Sequence, residues 1–156
     1  MRSTFCSLVL VYLVLTPGVR GASAVTMASG HTVRGAAGAE LTSSFSAVLS
    51  STGEATGRAR IASEATGLSF VLEVNCLVVS GGLAKIGGEV IQSDSPALIG
   101  SNVVFHVEDN GTTPADPPDR MSSAFITGSS CTTFTIPAGH PGSLTPINRG
   151  EVRVVE

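Results

Sequence analysis

Between residues 40 and 108 apolar and polar positions alternate with a period of two, in short runs separated by Gly, Ser and Thr. In "ELTSSFSAVLS" Leu41, Ser43, Phe45, Ala47 and Leu49 share one face, the pattern of a strand with one side buried. "RARIASEA" sets Ala59 and Ile61 against Arg58 and Arg60. The strongest hairpin signal is "GLSFVLEVNCLVVSGGLAKIGGEVIQS". It places Phe70, Leu72, Val74, Cys76 and Val78 on one face and Glu73 and Asn75 on the other. Ser80-Gly81-Gly82 forms the turn, and Ala84, Ile86, Gly88 and Val90 line the return strand. Gly87-Gly88 predicts a bulge or sharp bend. "NVVFHVED" turns Val103, Phe105 and Val107 inward, and His106 with Glu108 outward to solvent. "MSSAFITG", "TTFTIPA" and "GEVRVVE" offer further strands. The expected fold is therefore all-β and antiparallel, with about eight short strands. No strand reads as apolar on both faces over any length, which argues against a parallel sheet. The mid-strand glycines favour a small barrel, with a β-sandwich as the alternative.

The first residues follow a different pattern. "MRSTFCSLVLVYLVLTPGVRGASA" carries Arg2, an apolar run from Phe5 to Leu15, the breakers Pro17 and Gly18, and the small-x-small stretch Ala22-Ser23-Ala24. These are the three parts of a secretory signal peptide. The apolar run is about half the roughly 20 residues that a spanning helix needs, so no membrane insertion is expected after cleavage. The expected organisation is a signal peptide at 1–24, a flexible arm or lead-in strand at 25–39, and one all-β domain at 40–156.

Composition then narrows the function. Loss of residues 1–24 removes Arg2 and Arg20 from nine basic residues and none of the twelve acidic ones, which leaves a net charge of −5. The remaining basic residues are dispersed along the chain, so neither nucleic-acid binding nor a polybasic membrane patch is expected. Tyr12 leaves with the signal and there is no Trp; the aromatic residues that remain are Phe45, Phe70, Phe105, Phe125 and Phe134. An aromatic sugar-stacking platform is therefore unexpected. Cys76 and Cys131 form an even pair, which in an exported chain reads as a disulfide.

Three stretches carry a resemblance to a known family. They are "EATGLSFVLEVNCLVVSGGLAKIGGEV", "VVFHVEDNGTTPADPPDRMS" and "RGEVRVVE". Together they resemble a family of exported bacterial all-β proteins related to the post-COAP type of domain. The resemblance spans most of residues 40–156 and implies secretion and a β-rich fold. It carries over no catalytic residues. The chain departs from the family pattern at Glu151, where Asn is usual, and at His106, where the family strand is less decorated.

The candidate chemistry is sparse. No Gly-x-Ser-x-Gly elbow accompanies His31, His106 and His140, so a hydrolytic triad has no sequence support. His106 and Glu108 would supply two zinc ligands without a third. The loop "VEDNGTTPADPPDR" is the strongest candidate. Glu108, Asp109, Asn110, Asp116 and Asp119 carry the oxygen types that calcium takes, though not in the order of an EF-hand. Asp109-Asn110-Gly111 is equally turn chemistry, and Pro117-Pro118 stiffens the chain. A calcium loop and a structural turn both remain open. No other cofactor is expected.

The function expected is that of a secreted, non-enzymatic β-barrel-like module, binding or structural, located in the periplasm, on the cell surface or outside the cell. Its partner would be a small ligand or a surface. Two alternatives are a carrier with an apolar ligand inside the barrel and an enzyme of unrecognised type. The processed chain should begin at Val25 and, lacking Tyr and Trp, should barely absorb at 280 nm. Intact mass and an ultraviolet spectrum check both statements.

Overall fold

The computed structural model describes residues 25–136, 140 and 143–156; the signal peptide assigned to 1–24 lies outside them. Among the described residues one antiparallel sheet contains ten strands. The long ones are β1 (Thr26–Arg34), β2 (Leu41–Leu49), β3 (Ala55–Ser63), β4 (Leu68–Ser80), β5 (Leu83–Ser93), β6 (Asn102–Glu108) and β10 (Arg149–Val155). Three two-residue strands, β7 (Arg120–Met121), β8 (Phe125–Ile126) and β9 (Thr145–Pro146), complete it. The order is β10-β1-β2-β3-β4-β5-β6-β7-β9, with β8 also paired to β6. No helix among the described residues is long and apolar enough to cross a membrane.

The sheet curls into a half-barrel around its apolar face. Phe45 on β2 and Phe105 on β6 stand four strands apart, which in a flat sheet would separate them by about 19 Å. Their ring centroids lie 5.6 Å apart, edge to face. Thr32 on β1 likewise reaches Met121 on β7, its hydroxyl donating to Sδ at 3.2 Å. Small residues on the inner face (Ala28, Ala47, Ala59, Ala84) alternate with Ile61, Leu72, Ile86 and Val90, all buried. The curl thus follows from a single buried face that has no second sheet to cover it.

Residues 25–39 contain no loose arm over β1. That strand pairs along its whole length with β2 on one side and from Met27 to Val33 with β10 on the other. Its own side chains are mostly small, so its stability comes from two ladders whose partners lie at opposite ends of the sequence.

The β4–β5 hairpin turns at Gly81, whose φ of +60° suits the first position of a two-residue II′ turn. Two register shifts interrupt the ladder. Val71 faces Gln92 and Leu72 faces Val90, so Ile91 is an extra residue on β5. Val74 faces Gly88 and Cys76 faces Gly87, so Asn75 is an extra residue on β4. The second bulge inverts the face of everything after it. Leu77, rather than Val78, enters the core, and Cys76 turns outward. Strict alternation had placed Cys76 and Val78 inside. The outward turn lets Cys76 form a disulfide with Cys131, with Cα atoms 6.0 Å apart. Gly87 lies directly beneath that bridge. A Cβ there would stand 3.0 Å from Cβ of Cys131 and 3.3 Å from Cβ of Cys76, so a larger residue would have to push the bridge outward and glycine fits best. Closing a 55-residue separation stabilises the fold by about 4 kcal/mol in the chain-entropy account.

The bridge anchors a strap, residues 127–136, across the outer face of β5 and β6. The expected strand "TTFTIPA" is not one over its described part, residues 132–136, which run as turn and coil within this strap. Phe134 meets the His106 ring edge to face at 5.9 Å, and Lys85 Nζ donates to the Phe134 carbonyl at 3.2 Å. The strap corrects the reading of His106 as solvent-facing: only 6 % of it is exposed. β6 is covered on both sides, by the core at Val103, Phe105 and Val107 and by the strap at Val104 and His106.

Burial, reinforced by the nearby Lys85 charge, lowers the His106 pKa from 6.5 to about 4. The unfolded chain therefore takes up this proton first as the pH falls. The contribution of neutral His106 is complete above pH 6.5 and is lost progressively between 6.5 and 4. His106→Phe should flatten that part of the melting-temperature profile relative to the wild type. Equal slopes in the two proteins would contradict this account of His106.

Candidate functional site

The acidic loop lies where the two ends of the curled sheet meet. β10 is the last strand on its side, and one edge of it has no strand partner. Two N–H groups on that edge end on carboxylates. Asp119 Oδ2 accepts from Val152 at 2.8 Å and Asp109 Oδ2 accepts from Val154 at 2.9 Å. Asp119 Oδ1 also accepts the Asn110 N–H at 2.9 Å, and its main-chain carbonyl accepts from Ile147 at 2.9 Å. Asp119 is buried. It thereby joins the loop, the connection between β9 and β10, and β10 itself.

The other loop residues have local roles. Asp109 Oδ1 accepts the Gly111 N–H at 3.0 Å, an Asx turn. Asn110 Nδ2 donates to the Pro118 carbonyl at 2.9 Å. Asp116 Oδ2 accepts the Thr113 N–H at 2.8 Å, and the Thr113 hydrogen bonds hold the exposed Asp116 carboxyl below its usual range. Glu108 pairs with Arg120 at 3.1 Å, and Arg120 also donates to the Leu144 carbonyl at 2.7 Å. The five candidate cation ligands thus share one rim, with Asp109, Asp116 and Asp119 directed at main-chain donors. Among the described residues no group of three or more His, Cys, Asp or Glu side chains is arranged to hold a metal ion. An open cleft of about 390 Å³ lies beside the rim, lined by Thr112, Pro117, Asn148 and Arg149 among others.

The three histidines divide between two regions. His106 lies under the strap. His140 packs against Phe125 at 5.1 Å, and Phe125 packs against Phe134 at 5.3 Å. His31 is exposed on the outer face of β1.

That outer face holds a group that the linear sequence does not reveal. Strand register aligns Arg153, Ser29, Ser46 and Arg58 in one row across β10, β1, β2 and β3. The next row is Glu151, His31, Ser44 and Arg60. Arg58, Arg60 and Arg153 are all exposed. None makes a side-chain hydrogen bond or ion pair among the described residues, whereas Arg120 pairs with Glu108 and Arg149 with Glu40. Three strand spacings separate Arg153 from Arg58 by about 14 Å, and Arg58 and Arg60 stand about 7 Å apart along their strand. Serine hydroxyls floor the space between them. The Arg58/Arg60 side of β3 was legible as a polar face, but Arg153 joins it only through the β10–β1 ladder.

No family model, curated protein or solved structure matches this chain. The case for function therefore rests on these two constellations.

The rim chemistry is directly testable. Asp119→Ala removes two charge-assisted bonds and leaves the Val152 N–H buried without a partner, which should cost about 3 kcal/mol. Asp119→Asn retains one acceptor and should cost less. Asp116→Ala should leave the urea midpoint unchanged. Equal midpoints for wild type and Asp119→Ala would remove the closure role.

Proposed function

We propose that the protein is an exported, non-enzymatic all-β module that binds an anionic polysaccharide through the outer face of β10, β1, β2 and β3. The observation that carries this reading is the set of three exposed, unpaired arginines on that face, in a chain whose overall charge is negative. A guanidinium fork pairs in two-point fashion with carboxylate or sulfate oxygens, and the Ser29, Ser44 and Ser46 hydroxyls offer neutral donors between the charges.

The chemistry of the face selects among partners. It lacks the large aromatic anchors on which protein interfaces depend. Glu151 lies within it and Glu73 borders it, which opposes the uninterrupted phosphate track of a nucleic acid. Export is supported by the signal-peptide pattern and agrees with the Cys76–Cys131 disulfide. The Phe45–Phe105 contact across the interior favours a packed core over a carrier's cavity. The non-enzymatic reading is supported by the engagement of Asp109 and Asp119 with main-chain N–H groups and by the burial of His106.

Exposed ion pairs contribute about 0.2–1 kcal/mol each, so three of them give weak binding at a single site. Retention on a polymer therefore depends on many such encounters. On an immobilised carboxylated or sulfated polysaccharide the protein should be retained at low salt and released as salt screens the charges. The Arg58→Ala/Arg60→Ala/Arg153→Ala variant should pass through unretained, as should the wild type on a neutral glucan. Equal retention of the variant would overturn the assignment of the face. Sustained turnover on a hydrolase substrate panel, abolished by one point substitution, would overturn the non-enzymatic reading.

A further inference from the structure

We propose that Asn110 is an N-glycosylation site, an inference that rests on the export reading above. Asn110-Gly111-Thr112 is an N-x-Thr acceptor whose middle residue is not proline. The motif opens the rim loop, and residues 111–115 are exposed.

Closure of the sheet accounts for part of this motif and leaves the rest unexplained. It uses the Asp109 carboxylate, the Asn110 main-chain N–H and the Gly111 turn. It does not use Thr112, which is exposed and whose hydroxyl bonds nothing among the described residues. An exposed threonine two positions after a half-exposed asparagine, in a surface loop, is the arrangement that a transferase requires. The Asn110 amide is also compatible with the product. One of its two amide protons is donated to the Pro118 carbonyl in an exposed bond, and the other is free for substitution.

The step balances with one co-reactant, an oligosaccharide carried on a lipid pyrophosphate. Asn110 Nδ2 attacks the anomeric carbon and forms the C–N bond. The bond from that carbon to the pyrophosphate oxygen breaks, and the lipid pyrophosphate leaves with the electron pair. The displaced amide proton passes to a base of the transferase. Nδ2 keeps one N–H, enough to retain the Pro118 contact, and the glycan projects from the closing rim.

The test is the intact mass of the protein recovered from the cells that export it, before and after treatment with peptide N-glycosidase. A processed chain heavier than its peptide mass by a glycan is expected, with the excess removed by the enzyme and Asn110 converted to Asp. Asn110→Gln and Thr112→Ala should each abolish the excess, and Thr112→Ser should retain it. Unchanged urea midpoints in these variants would show that the loss does not reflect unfolding. A processed chain of bare peptide mass overturns this inference and leaves the export reading intact. A chain that retains residues 1–24 and carries no glycan overturns both.

Discussion

A curled sheet that stops short of a complete ladder leaves a row of main-chain N–H groups on its last strand. Here that strand is β10, and its Val152 is buried, with only 1 % of its surface exposed. A buried N–H without an acceptor costs about 1–3 kcal/mol, so this edge has to end on something. It ends on Asp119 and Asp109, two carboxylates from a loop on the far side of the half-barrel. Charged acceptors make such bonds shorter and roughly twice as strong as neutral ones. They also block the edge against pairing with another chain. The positions of β1, β10 and the arginine rows all depend on this closure, because β10 is held by the β1 ladder on one side and by carboxylates on the other.

The opposite part of the sheet is organised by a covalent constraint. The Asn75 bulge turns Cys76 outward, the disulfide fixes residue 131 above Gly87, and the strap then covers Val104 and His106. Burying an imidazole against Phe134 and beside Lys85 keeps it neutral at physiological pH. A half-buried charged group, Arg34, sits at the C-terminal end of β1. Arg34 donates to the hydroxyls of Thr145 and Ser123 at 2.7 and 2.8 Å, and burial lowers its pKa. These two groups use side-chain or aromatic partners from residues 120–145 to cap regions that the long strands leave open.

Structural roles thus absorb most of the groups that a sequence reading marks as reactive. The carboxylates close the sheet, one histidine is buried, and the cysteines are joined. The groups left exposed include His31 and the arginines on one sheet face and the turn at the rim.

Much of this was legible along the chain. Period-two alternation in β2, β3, β5 and β6 identified the inner faces correctly, because one face of each packs against the same core and alternation records that directly. The Cys76–Cys131 pair and the glycine turn at Gly81 were likewise readable from residue type. Other features were decided only in three dimensions. β1 lies in a stretch of mostly small residues that does not look like an interior strand, and it becomes one through partners on both sides, one of them from the far end of the sequence. The single extra residue at Asn75 cannot be counted without its partner strand, yet it reverses the faces of Cys76, Leu77 and Val78. His106 looked exposed because the strap that covers it is distant in sequence. The Asp109 and Asp119 acceptors find their donors only when the curl brings β10 beside them, and Arg153 reaches Arg58 only through strand register. Local pattern determined the strands and the chemistry available. Tertiary structure decided how that chemistry was used, because long-range pairing, closure and burial bring together residues that local patterning treats as independent.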